Sequence, residues 1–215
     1  FLSGCTAASV LSDPPPPIPS EKYAAIVVDV HSGQALYSAH ADQLRYPASL
    51  TKMMTVFMLL ETLDQGRITT ATMIPVSENA RAQVPTKIGF NRGDSIDVDS
   101  AIRALVIRSA NDVAVAVAEY LGGTEENFGT MMTQRARQMG MNSTTFRNAS
   151  GLPNPGQQTT ARDMALLSIA LRKRFPHHYH YFGNREFTYA GRTIRGHNEL
   201  LGTVNGVDGL KTGYI

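Results

Sequence analysis

The sequence predicts an α+β domain: a largely antiparallel sheet built from both chain ends, with helices packed on it and a helical subdomain inserted between. Three observations predict it. A β-branched run at 23–30 opens the folded part, and strand-like runs return only after Glu186. The stretch from about residue 99 to 171 reads as one helix after another. The chain has 215 residues, 42% of them hydrophobic and 18% charged, the composition of an ordinary globular protein with a real core. Strands, a long helical insert and strands again suggest a sheet assembled from both ends.

Residues 1–20 are set apart as a disordered linker, and 21–215 form the domain. Pro14-Pro15-Pro16-Pro17 and Pro19 lock that linker into extended, semi-rigid geometry. The 23–30 run ends at His31-Ser32-Gly33 and is followed by 34–38, which reads as a hairpin. From Ser49 to Leu63, Leu50, Met53, Met54, Val56, Phe57, Leu60 and Leu63 recur at helical spacing, with Gly66 as the stop. Met53, Met54 and Met58 read as core filler. Asp99-Ser100 caps a helix to about Arg108, 112–121 is an alanine- and valine-rich helix ended by Gly122-Gly123, and Thr124 opens another that stops near Gly140. Thr160-Ala161-Arg162-Asp163 matches a capping signature before a helix through Leu171, with Pro176 marking its end. Strand character returns at 186–189, turns at Ala190-Gly191, continues through 192–195 and ends with 209–215.

Composition removes several function classes. Twenty Lys and Arg against eighteen Asp and Glu leave a formal charge of +2. That is far from the concentrated positive charge that tracks a phosphate backbone, so nucleic acid is not an expected partner. No apolar run in the chain approaches the length of a bilayer span. Cys5 is the only cysteine, which excludes an internal disulfide and a cysteine-based zinc site. His177, His178 and His180 are close in sequence without a nearby carboxylate and read as a polar surface stretch rather than metal ligands.

Three short motifs carry chemistry: Ser49-Leu50-Thr51-Lys52, Ser109-Ala110-Asn111 and Lys211-Thr212-Gly213. Ser49 follows Tyr46-Pro47-Ala48, and the proline sets it at the N-terminus of the next helix. There the helix dipole and free N–H groups favour a developing negative charge. Lys52, three residues on, shares that helical face. A serine hydroxyl needs a base beside it, and a desolvated lysine near a second cation loses its proton readily enough to serve; Lys211 is that candidate cation. Without such a setting, Ser49 is a helix cap and Lys52 a solvated side chain. Ser109 and Asn111 lie between two helices, where a hydroxyl can relay a proton and an amide can grip a peptide bond, or both can simply cap a helix. In Lys211-Thr212-Gly213 the lysine supplies charge, the threonine a hydroxyl for a carboxylate, and the glycine room for close backbone approach.

Together and in this order the motifs resemble the signature of penicillin-binding proteins and class A β-lactamases. The chain is similar to the serine-type D-alanyl-D-alanine carboxypeptidases, the low-molecular-mass penicillin-binding proteins. The likeness extends through Tyr46-Pro47-Ala48-Ser49-Leu50-Thr51-Lys52-Met53-Met54-Thr55, Ser109-Ala110-Asn111-Asp112, Phe146-Arg147-Asn148-Ala149-Ser150-Gly151-Leu152, Thr160-Ala161-Arg162-Asp163-Met164 and Asp208-Gly209-Leu210-Lys211-Thr212-Gly213-Tyr214. The resemblance implies a β-lactamase/transpeptidase-like fold and a serine that forms an acyl-enzyme. By it Ser49 is the nucleophile, Lys52 takes its proton and Ser109 passes a proton to the departing D-alanine. Asn111 would hold the substrate backbone, and Lys211 and Thr212 the terminal carboxylate. The backbone N–H groups of Ser49 and Tyr214 would form the oxyanion hole. It implies the pentapeptide stem of peptidoglycan as substrate, β-lactams as covalent inhibitors, the periplasm as the place of action, and no metal or cofactor. It also implies further strands and a closing helix after Lys-Thr-Gly, which this chain, ending at Ile215, does not carry.

Class A β-lactamases place motifs at similar spacing and deacylate with a glutamate between the second and third. No Glu occurs here between Glu126 and Glu186, so a penicillin adduct should persist. A D-alanyl cross-link endopeptidase and a non-catalytic β-lactam sensor share the constellation and stay open as alternatives. At the N-terminus, Leu2-Ser3-Gly4-Cys5 resembles a bacterial lipobox, which would make Cys5 a lipid attachment point and the linker a membrane tether; its bland alternative is a chance tetrapeptide.

Overall fold

The computed structural model describes residues 22–214. The lipobox-like Cys5 and the proline-rich linker lie outside the described residues.

Two helices are buried almost all round and organise the rest. In α1 (Thr51–Asp64) every residue from Thr51 to Phe57 is buried, as are Leu59 and Leu60. In α4 (Asn111–Gly122) the whole stretch from Asn111 to Ala118 is buried, and its small alanines let neighbouring helices approach closely. α1 packs against α4, α5 (Glu125–Gln138) and α6 (Ala161–Arg174), while α4 also meets α2 (Glu78–Arg81) and α5. Phe57 and Phe175 meet edge to face at 5.1 Å in this core.

Local signals in the sequence translate directly. The Thr124 hydroxyl accepts from the Asn127 N–H at 3.1 Å and starts α5, and the Thr160 hydroxyl accepts from Asp163 N–H at 3.1 Å and starts α6. The helix expected from Asp99-Ser100 begins slightly earlier: α3 (Val98–Arg103) is capped by Asp97, whose carboxylate accepts from Ser100 N–H at 2.8 Å. Its continuation, Ala104–Arg108, widens to π geometry and ends at Ser109.

The α+β class holds, and among the described residues the paired strands are all antiparallel. Strand β1 (Ala25–Val28) pairs with β2 (Ala35–Ala39), β3 (Met73–Pro75) with β4 (Ser95–Asp97), and β5 (Glu186–Tyr189) with β6 (Arg192–Arg195). The Ala190-Gly191 turn has both residues at positive φ, 47° and 73°, as a two-residue hairpin requires. The β3–β4 pair was not legible in the sequence, because each strand has only three residues.

One expectation is corrected. Among the described residues the strands form three two-stranded sheets, so the hairpins from the two ends do not join, and the strand expected at 209–215 has no ladder over its described part, 209–214. That segment runs along the helical core instead. Asp208 is held by Arg172 at 2.5 Å and by the Tyr179 hydroxyl at 3.2 Å, and Leu210 packs on the core. Strand propensity without a neighbouring edge makes an extended chain, not a strand.

Candidate active site

The approach to Ser49 is fixed from both sides. Arg45 and Thr159 exchange backbone hydrogen bonds of 2.7 and 2.9 Å, and Pro47 leads into a 3₁₀ turn, Ala48–Leu50, just ahead of α1. Ser49 sits in that turn and makes no capping bond. Its oxygen faces the Lys52 ammonium at 3.5 Å. Lys52 is completely buried, which removes the solvated-lysine reading.

The surroundings of Lys52 explain how a buried amine can act as a base. Nζ donates to Asn111 Oδ1 at 2.7 Å and to the Ser150 carbonyl at 2.6 Å. A neutral amine has two N–H bonds and one lone pair. With both hydrogens committed to those acceptors, the lone pair is left for the Ser49 hydroxyl. Burial, reinforced by the positive charge of Lys211, brings the Lys52 pKa down to about 7, while Asp112 pulls the other way. Lys211 is lowered to about 8 by burial. Its ammonium donates to the Thr212 carbonyl at 2.8 Å, and among the described residues no carboxylate pairs with it.

Ser109 closes the π turn in a left-handed conformation, φ 61° and ψ 38°. Its hydroxyl is buried and has no hydrogen-bond partner. Among the described residues Thr51 Oγ1 is the other buried side-chain oxygen left unpaired, and each such group costs stability. Asn111 lines the site, but its carboxamide is already engaged: Oδ1 accepts from Lys52, and Nδ2 donates to the Val84 carbonyl at 3.0 Å. Only one amide hydrogen is left for a substrate backbone, so its first task is to orient the lysine.

A cavity of about 520 Å³ opens beside Ser49, and Asn111, Thr86, Ser150, Leu152 and Tyr214 lie along it. Tyr214 is 91% exposed and shares this cavity with Ser49, whereas Thr212 lines a separate small pocket with Ile107 and Phe182. The histidines contribute nothing here: His178 pairs with Asp64 at 3.0 Å, and His180 lies on the Tyr181 ring.

A family model described as D-alanyl-D-alanine carboxypeptidase matches residues 12–215. The chain belongs to this carboxypeptidase family. It is 36% identical to the D-alanyl-D-alanine carboxypeptidase DacD of Escherichia coli over 222 residues, which span 99% of this chain and 56% of that protein. To the carboxypeptidase DacF of Bacillus subtilis it is 33% identical over 199 residues, 90% of this chain and 51% of that one. The chain thus spans about half the length of the curated relatives it matches. Its fold is similar to that of penicillin-binding protein D2 from Listeria monocytogenes in the ampicillin-bound form, with a TM-score of 0.82, 31% identity, and coverage of 93% of this chain and 82% of that one.

Within this carboxypeptidase fold, sequence reasoning missed the 148–152 segment as a working part. Its Ser150 carbonyl holds Lys52, and the Thr55 hydroxyl fixes the preceding Ala149 carbonyl at 2.7 Å. The Glu125 carboxylate accepts from Ala149 N–H at 3.0 Å, and Asn148 Oδ1 accepts from Gly151 N–H at 2.7 Å. Gly151, at φ +86°, lies so close to the turn before Ser49 that a Cβ would stand 1.8 Å from the Ala48 carbonyl oxygen. The only sequence signal was the glycine itself, since a backbone carbonyl looks the same in every residue.

Proposed function

We propose that the protein is a serine D-alanyl-D-alanine carboxypeptidase that removes the terminal D-alanine of peptidoglycan pentapeptide stems. The observation that carries the reading is Lys52: fully buried, lowered to about 7, its two N–H bonds spent on Asn111 and Ser150, and its lone pair open to Ser49. The neutral amine takes the Ser49 proton as Oγ attacks the carbonyl of the penultimate D-alanine. The tetrahedral oxyanion is held by the backbone N–H groups of Ser49 and Tyr214. Collapse breaks the peptide bond, and Ser109 relays a proton to the leaving amine. Water then hydrolyses the Ser49 ester, with the amine again taking the proton. Lys211, which pairs with no carboxylate among the described residues, supplies the cation for the substrate's terminal carboxylate, with Thr212 next to it in the chain offering a hydroxyl.

The same attack on a β-lactam ring leaves a penicilloyl ester on Ser49. No Glu is present between Glu126 and Glu186 to drive its hydrolysis, so the adduct persists. Peptidoglycan as substrate puts the protein in the cell envelope, and lipidated Cys5 would tether it there. The test is incubation with labelled penicillin and with a D-Ala-D-Ala peptide. An adduct mapped to Ser49 together with released D-alanine supports the reading. A Ser49→Ala protein that still releases D-alanine overturns it, and an adduct without release favours a sensor. Mass spectrometry of the mature N-terminus decides the tether, since an unmodified Cys5 rejects it.

A further inference from the structure

The residue after Asn111 holds more of the site together than any motif assigns to it. Asp112 is completely buried near the start of α4, and three backbone donors converge on its carboxylate. Gly89 N–H reaches Oδ2 at 2.9 Å, Val113 N–H reaches Oδ1 at 2.9 Å, and Ile88 N–H is shared between both oxygens at 3.0 and 3.2 Å. Asn111 binds the same loop from its other side, its N–H donating to the Thr86 carbonyl at 2.7 Å and its carboxamide to the Val84 carbonyl. The dipeptide therefore clamps 84–89, the segment whose Pro85 and Thr86 form one wall of the cavity beside Ser49.

We propose that Asp112 is a positioning residue for the reaction: its carboxylate anchors the 84–89 wall, which Asn111 ties to Lys52. The proposal deepens the carboxypeptidase reading, because the lysine tied to that wall is the base assigned there.

The groups facing the pair are few. Lys52 is met by Ser49 of the 3₁₀ turn, Asn111 of α4, the Ser150 carbonyl, Lys211 and Asp112 itself. Asp112 is met by Lys87 of the loop and by Tyr189 of β5, and Arg192 of β6 donates to the Ile88 carbonyl at 3.4 Å. Asp112 is the carboxylate that favours the charged form of Lys52, against burial and Lys211. Its own protonation is favoured by burial and opposed by the three backbone N–H groups.

An amide cannot replace it. Asn at this position offers one acceptor oxygen, and its NH₂ would meet either Gly89 N–H or Val113 N–H donor to donor. The experiment is NMR on the full chain, wild type and Asp112→Asn, reading the Lys52 side-chain titration and amide hydrogen exchange at Ile88 and Gly89. The Lys52 midpoint should move down in the variant, since a negative charge that favours the ammonium is gone, and the two amides should exchange on the order of tenfold faster. A Lys52 midpoint that stays in place overturns the link from Asp112 to the base, and unchanged exchange overturns the anchoring role. Should the variant not fold, the wild type alone decides: the Ile88 and Gly89 amide resonances must shift with the Asp112 carboxyl as it titrates, and amides that ignore it refute the proposal. None of these readouts needs turnover, so they separate failure of this proposal from failure of the carboxypeptidase reading, on which penicillin labelling and D-alanine release bear.

Discussion

Gly151→Ala tests the site through a residue that carries no chemistry. At Gly151 a methyl group would lie 1.8 Å from the Ala48 carbonyl oxygen, 2.4 Å from its carbon and 3.0 Å from Ser49 N. Real Cβ contacts essentially never fall under 3.0 Å, so about 1.2 Å of separation must be found between two backbones. Neither can give way harmlessly. If Ala48 moves, it carries Ser49 with it; if 150–151 moves, the Ser150 carbonyl leaves Lys52. A displacement of about 1 Å at reacting groups costs on the order of 100-fold in rate. The left-handed φ of +86° adds roughly 1–2 kcal/mol for a residue with a side chain. Gly66→Ala is the control, because Gly66 has φ +69° but nothing within 4 Å of the added methyl. It should lose only the conformational cost, about 1–2 kcal/mol, and keep its acylation rate. Gly151→Ala should lose that and a further packing cost of about 1–3 kcal/mol, roughly 2–12 °C in Tm below the control for a chain of this size, with Ser49 acylation by penicillin slowed about 100-fold. The assays are thermal unfolding and the rate of labelled-penicillin attachment. A Gly151→Ala protein that matches the Gly66 control in Tm and the wild type in rate would refute the argument that this contact sets the position of Ser49.

In the proposed mechanism Lys52 acts as a neutral base and Lys211 binds a carboxylate as a cation, so kcat/KM should rise through about pH 7 and fall through about pH 8, a narrow bell whose limbs belong to the coupled pair. A flat profile between pH 6 and 9 would count against both roles. Replacing Lys211 by Gln removes a cation that lowers Lys52, so the rising limb for penicillin acylation should move to higher pH; a limb that stays put or falls removes Lys211 as the neighbouring charge. Lys52→Ala should abolish adduct formation while the protein remains folded, as judged by circular dichroism, and wild-type labelling would exclude it as the base. Away from the site, Glu61 accepts from Arg135 at 2.8 and 3.0 Å and forms an ion pair with Arg174 at 2.5 Å, so Glu61→Gln should cost about 1–3 kcal/mol in denaturant unfolding with the acylation rate unchanged.

How far the sequence could be read depended on the range of the interaction. Thr124 and Thr160 were recognisable as caps because their partners stand three residues away, and Ala190-Gly191 as a turn because its two residues carry the whole signal. Ser49, Lys52 and Lys211 were recognisable because their chemistry lies in side chains, and Lys52 is buried beside Ser49, a placement that the spacing allowed. Three things resisted for one reason: their determinants are distant backbone groups. The Ser150 carbonyl that holds Lys52 is 98 residues away in sequence. The carbonyls of Val84 and Thr86 that hold Asn111 belong to a loop with no motif. The 209–214 segment has strand composition but lies against Tyr179, Phe182 and Leu50, where no strand edge offers a ladder. The consequence concerns the motifs themselves. Asn111 was read as a substrate ligand because an exposed amide can grip a peptide bond, yet its carboxamide spans Lys52 and Val84 and so links the base to the cavity wall. A residue tied at both ends transmits displacement. Movement of the 84–89 wall must therefore be felt at Lys52, which makes the shape of the cavity beside Ser49 and the protonation of Lys52 two aspects of one hydrogen-bonded unit.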